Sequence, residues 1–99
     1  MLLENKIALV TGGSLGIGKA TVLALANEGA NVAFTYFGFR NNKNEANEVI
    51  DEVKKLGRKC FAIESDVSKF DEAQDVVQKV FSEFGGLHIL VNNAGISRD

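Results

Sequence analysis

The sequence predicts an α/β fold: a parallel sheet with helices on its faces. Three observations point there. Short apolar runs alternate along the chain with longer segments whose apolar residues recur at helical spacing, and glycines stand at the joints between them. No repeat, low-complexity tract or proline-rich linker interrupts the alternation. Apolar strands separated by amphipathic helices bury both faces of a parallel sheet. Right-handed crossovers then arrange β-α-β-α-β-α-β in the doubly wound strand order 3-2-1-4.

Each element has its own warrant. Ile7–Val10 is a continuous apolar run and the first strand. A helix opens at about Ile17 and runs to Glu28, carrying Ala20, Leu23, Ala24 and Ala26, with Gly29 as its stop signal. Asn31–Tyr36 holds Val32, Ala33 and Phe34, a short buried strand. From Asn42 the period changes: Ala46, Val49, Ile50 and Val53 form the stripe of a second helix, which Gly57 ends. Cys60–Glu64 is the third strand. Ser68 is the expected N-cap of a third helix, with Asp71 in its first turn. Ala73, Val76, Val77, Val80, Phe81 and Phe84 continue that helix to Gly85-Gly86, and Leu87–Val91 is the fourth strand. An apolar strand in that place would be an unpaired edge, so the pattern resembles half of a larger fold.

Ninety-nine residues make one domain or less, and 45% hydrophobic residues place the chain among globular proteins. A net charge of -2 offers no basic field for nucleic acid. No run of 18 or more apolar residues is present, so no membrane span is expected. The opening Met-Leu-Leu-Glu-Asn-Lys lacks the features of a signal peptide, and a cytoplasmic protein is expected. Cys60, the one cysteine, reads as a small core residue. His88 has no Cys or His partner at metal spacing, and no metal site is expected.

The functional signal lies in Thr11–Gly18, Thr-Gly-Gly-Ser-Leu-Gly-Ile-Gly, directly after the first strand. A helix N-terminus presents unpaired backbone N–H groups and partial positive charge, and glycine lets an anionic pyrophosphate approach the main chain. Gly12, Gly16 and Gly18 are spaced G-x-x-x-G-x-G, one residue looser at the start than the G-x-G-x-x-G dinucleotide fingerprint. With a strand before it and a helix after it, nucleotide binding is favoured over a bare β-to-α turn.

Three patterns carry a resemblance. Thr11–Gly18 resembles the T-G-x-x-x-G-x-G motif of the short-chain dehydrogenase/reductase family, Asp66-Val67 its adenine-contacting pair, and Asn92-Asn93-Ala94-Gly95 its N-N-A-G motif. Each follows a predicted strand. The stretch Asn92–Asp99 is similar to the 3-oxoacyl-[acyl-carrier-protein] reductases of that family, as are Glu4–Val10 and Asn47–Val67. The resemblance covers essentially the whole chain and matches the N-terminal portion of the family fold. Residues 1–99 would then be the N-terminal part of one dinucleotide-binding, Rossmann-type domain.

The resemblance implies roles for individual residues. Gly12, Ser14, Leu15 and Ile17 would meet the phosphates and ribose, while Gly16 and Gly18 permit close approach and helix packing. Asp66 would accept a hydrogen bond from the adenine amino group, with the Val67 backbone at the ring nitrogen. Asn93 would contact the ribose region, with Ala94 and Gly95 leaving room. Phe37 and Arg40 complete the expected cofactor-binding set.

Two departures from the family pattern matter. Leu15 stands where the similar reductases usually carry an arginine for the 2′-phosphate, and leucine cannot supply that charge. Thr35–Arg40 nevertheless lacks the acid that NAD-preferring relatives place after the second strand, and Arg40 offers a cation, so NADP is favoured over NAD. The family's catalytic Tyr-x-x-x-Lys pair and serine follow the N-N-A-G motif. Tyr36 is the only tyrosine, position 40 is arginine, and Ser97 lies too early, so no catalytic residue is expected within residues 1–99.

The leading expectation is the cofactor-binding half of an NADP(H)-dependent reductase acting on a 3-oxoacyl thioester, a homo-oligomer when complete. A non-catalytic nucleotide-binding or interaction module, and a dehydrogenase for a sugar or other alcohol, are the alternatives.

Overall fold

The computed structural model describes residues 1–38 and 42–93. The elements follow the expected order: β1 (Ile7–Thr11), α1 (Gly16–Asn27), β2 (Asn31–Tyr36), α2 (Asn42–Lys55), β3 (Cys60–Glu64), α3 (Phe70–Phe84) and β4 (Ile89–Asn92). The four strands form one parallel sheet in the order β3-β2-β1-β4. β1 pairs with β2 from Ile7↔Asn31 to Val10↔Phe34, and with β4 from Ala8↔Ile89 to Thr11↔Asn92.

Strand periodicity divides the core into two layers. Ala8 and Val10 join Val32 and Phe34 beneath Val22 and Ala26 of α1 and Val49 and Val53 of α2. Ile7 and Leu9 face the other way with Ala33, against Val76 and Val80 of α3. Every residue of β1 is therefore buried, which explains why the strand reads as an unbroken apolar run. In the α3 layer, Phe61 and Phe84 meet edge to face with ring centroids 4.9 Å apart. Such pairs add about 0.5–1.5 kcal/mol beyond their burial.

Three local expectations are corrected. α1 opens at Gly16, one residue early, and its buried line is Gly18, Val22 and Ala26. Ser68 does not cap α3: Lys69 occupies the N-cap position without a side-chain bond. The Ser68 hydroxyl and N–H both donate to Asp66 Oδ1, at 2.6 and 3.1 Å, because that carboxylate is a nearer and charged acceptor. β4 begins at Ile89 rather than Leu87, since His88 closes the ladder with its side chain. Its Nδ1 accepts the Ile7 N–H at 3.0 Å, while its own N–H donates to the Ile7 carbonyl at 2.9 Å. Cys60 packs at the edge of the α1/α2 layer, and burial pushes its thiol up to about 12 against the opposing charge of Lys54. Among the described residues β4 is a sheet edge, with Leu90 59% exposed.

Gly13 is a packing residue that its sequence context did not reveal. A Cβ there would lie 2.5 Å from Phe34 Cβ and 2.9 Å from Val22 Cγ2. Among the described residues Phe34 is the largest fully buried side chain. Replacing Gly13 by Ala is expected to destabilise the fold by about 1–3 kcal/mol through overpacking. Urea unfolding should show a lower midpoint, and an unchanged one would mean that Phe34 can move aside.

Candidate functional site

The C-terminal edge of the sheet, where β1 lies between β2 and β4, gathers the motif residues. The chain leaves β1 at Thr11, turns through Gly12–Leu15 and enters α1 at Gly16. Two of the motif glycines act differently there. Gly16 has φ +57° and open space around it, so the turn needs its left-handed backbone rather than its small size. Gly18 is the reverse: a Cβ would collide with the Gly12 carbonyl oxygen and lie 2.8 Å from Asn93 Nδ2. The N-cap residue of α1, Leu15, makes no side-chain cap bond, and the first turn holds no acidic residue. The positive dipole end of the helix therefore has no carboxylate beside it from its own first turn. Leu15 and Ile17 flank this end with exposed apolar side chains, whereas Ser14 is buried.

A small hydrogen-bond network fixes the turn to the strands on either side. Thr35 Oγ1, from β2, accepts the Gly12 N–H at 3.0 Å. Asn93 Nδ2, just past β4, donates to the Gly12 carbonyl at 3.1 Å. The Thr11 hydroxyl donates to Asn92 Oδ1 at 3.1 Å and accepts the Asn93 N–H at 2.9 Å. In this structure the Asn93 amide thus holds the glycine turn in place. Thr35, central to the network, belongs to no recognised motif. Only the crossing of β2 beside β1 reveals it.

A cleft of about 400 Å³ opens beyond the ends of β2 and β3, lined by Phe37, Gly38, Glu64, Asp66, Lys69 and other residues. Phe37 is exposed and Asp66 half-buried. Glu72, in the first turn of α3, accepts the Asp66 N–H at 2.7 Å and the Ser65 hydroxyl at 3.4 Å, so the backbone beside Asp66 is fixed. Val67 packs against the α3 layer. Sequence reading placed no acid near the end of β2, yet Glu64 of β3 pairs with Tyr36 and lies against Gly38. Arg40, Ala94 and Gly95 lie outside the described residues.

The described residues contain no group of three or more His, Cys, Asp or Glu placed to hold a metal ion. Among them no helix is long and apolar enough to cross a membrane. The sheet edge thus brings together the N-terminal end of α1, its exposed apolar flanks, and a cleft with a carboxylate acceptor.

The Ser68 hydroxyl holds the Asp66 carboxyl below the usual carboxylate range, against slight desolvation, with the Ser68 N–H and Lys69 assisting. A carboxyl depressed in this way contributes stability above its unfolded pKa and loses it as pH falls through the folded value. Replacing Ser68 by Ala is expected to move the Asp66 titration upward toward the ordinary carboxylate range in an NMR titration. A curve that coincides with wild type would show that Ser68 is not the cause.

The sequence profile described as short chain dehydrogenase matches residues 6–99. The 3-oxoacyl-[acyl-carrier-protein] reductase of Staphylococcus epidermidis is 48% identical over 95 residues, which are 96% of this chain and 38% of that protein. The chain thus spans under two fifths of the length of that reductase. The short-chain dehydrogenase/reductase homolog YusS of Bacillus subtilis is 48% identical over 94 residues, 95% of this chain and 84% of that protein. A crystal structure of a short chain dehydrogenase from Burkholderia cenocepacia in complex with NADP superposes with a TM-score of 0.91 at 45% identity, covering 99% of this chain and 39% of the other. The Rossmann-type sheet, the strand-end motifs and the family match agree, and the chain belongs to the short-chain dehydrogenase family.

Proposed function

We propose that this chain forms the NADP(H)-binding part of a reductase that converts the 3-oxo group of an acyl-carrier-protein thioester to a hydroxyl. One observation carries the binding assignment: the uncapped α1 N-terminus opens over a turn in which Gly18 leaves no room for a side chain. That geometry suits a pyrophosphate. The cofactor would supply hydride to the carbonyl carbon. Within this chain, the turn from Gly12 to Gly18 would hold the phosphates, Asp66 and Val67 the adenine, and Asn93 the turn and the ribose side, with Ala94 and Gly95 beside it. The substrate class rests on the likeness to the staphylococcal reductase. The complete enzyme is expected to be a cytoplasmic homo-oligomer.

NADP is preferred over NAD in this proposal because no acid follows β2 directly and Arg40 offers a cation. The Burkholderia relative crystallised with NADP supports the same choice. Glu64 beside Gly38 works against a 2′-phosphate, and Leu15 cannot help, so the preference depends on Arg40. A second reading, a module that binds dinucleotide without catalysis, draws support from YusS, most of whose length this chain spans.

Titrations should show tighter binding of NADPH than of NADH, and replacing Arg40 by Ala should weaken NADPH selectively. Equal affinities in the unaltered protein would overturn the choice of cofactor. The second expectation concerns turnover. Catalysis is assigned here to a serine, tyrosine and lysine beyond the N-N-A-G motif, and loss of a general acid alone costs about 10²–10⁴ in rate. Residues 1–99 with NADPH should therefore reduce no 3-oxoacyl thioester detectably. Turnover by the purified segment, with longer reductases excluded by mass spectrometry, would sink this assignment.

A further inference from the structure

We propose that Thr35 is the positioning residue of the pyrophosphate turn, and that its hydroxyl sets the affinity for any dinucleotide. This rests on the binding assignment above.

The ladder between β1 and β2 ends at Val10↔Phe34. Beyond it, two consecutive N–H groups are taken by one residue. Gly12 donates to Thr35 Oγ1 at 3.0 Å, and Gly13 donates to the Thr35 carbonyl at 2.9 Å. Thr35 is only 1% exposed, so water does not compete for these bonds. Gly12 adopts φ +72° at this point. With its N–H turned to β2, its carbonyl faces the opposite side, toward Asn93 Nδ2 and the backbone of Gly18.

The consequence is a division of labour among the amides of the turn. Those of Gly12 and Gly13 are consumed by Thr35, and the ones left for an anion run from Ser14 into the first turn of α1. A valine at position 35 would keep the shape but remove the acceptor, leaving the Gly12 N–H buried and unpaired. The peptide would rotate to find a partner and carry the next amides out of line. A serine would keep the oxygen. Because NADPH and NADH share the pyrophosphate, both should respond by the same factor. That separates Thr35 from residues at the adenosine end.

The test compares dissociation constants for NADPH and NADH in the wild-type protein, T35V and T35S, alongside circular dichroism and thermal unfolding of the free proteins. T35V should weaken both dinucleotides about five- to tenfold at an unchanged ratio, and T35S should stay within about twofold of wild type. T35V binding both as tightly as wild type, or losing NADPH alone, overturns the proposal. Should T35V not fold, T35S affinity and amide exchange in the unliganded wild type decide the matter. The Gly12 amide should be protected, and exchange as fast as an exposed amide overturns the proposal. A wild type that binds neither dinucleotide overturns the binding assignment together with the proposal, whereas the variant comparison tests the proposal alone.

Discussion

Gly12 is held through both of its backbone polar groups: β2 takes its N–H through Thr35, and the segment after β4 takes its carbonyl through Asn93. Gly18 of α1 packs directly on the same carbonyl. Three elements on two sides of β1 therefore converge on one residue, and the direction of the helix end follows from that convergence. An amide held on one side only could rotate about its neighbours. Held on both sides, it gives the turn a fixed shape of its own, and a ligand that used the turn would be spared that ordering cost.

Burial on both faces of β1 supplies the rigid base for this arrangement. The α1/α2 layer and the α3 layer lie on opposite faces of the sheet, with Ala8 and Val10 on one side and Ile7 and Leu9 on the other. Electrostatics then differ between the two ends of the site. The first turn of α1 lacks acidic residues, while α3 begins with Asp71 and Glu72. Glu72 satisfies the backbone at Asp66 instead of leaving that helix end open. One helix thus begins without a carboxylate in its first turn, whereas the other begins with two, one of them bonded to the backbone just before the helix.

Much of this was legible in the chain, for identifiable reasons. A central parallel strand must be apolar on both faces, so Ile7–Val10 stood out. The stripe of α2 was legible because its apolar residues occupy one face, and Ala46, Val49 and Val53 are buried as that stripe requires. Ser68 misled because its hydroxyl had a choice between the helix and the carboxylate two residues before it. Gly13, Thr35 and Glu64 carry no local signal at all. Their importance comes from Phe34, Gly12 and Gly38, which tertiary structure alone brings beside them.

The two halves of the grip on Gly12 differ greatly in their separation along the chain: 23 residues to Thr35 and 81 to Asn93. The Thr11–Asn92 and Ile7–His88 bonds also span 81 residues. Closing the longer loop costs about 1 kcal/mol more chain entropy, nearly two doublings of length. During synthesis from the N-terminus, β2 can dock on β1 long before β4 exists. The nascent glycine turn is consequently tethered on one side first, and its final shape waits for Asn93 to leave the ribosome. The glycine turn thus gains its second tether only when nearly all of this segment has been made, although its own sequence is among the first.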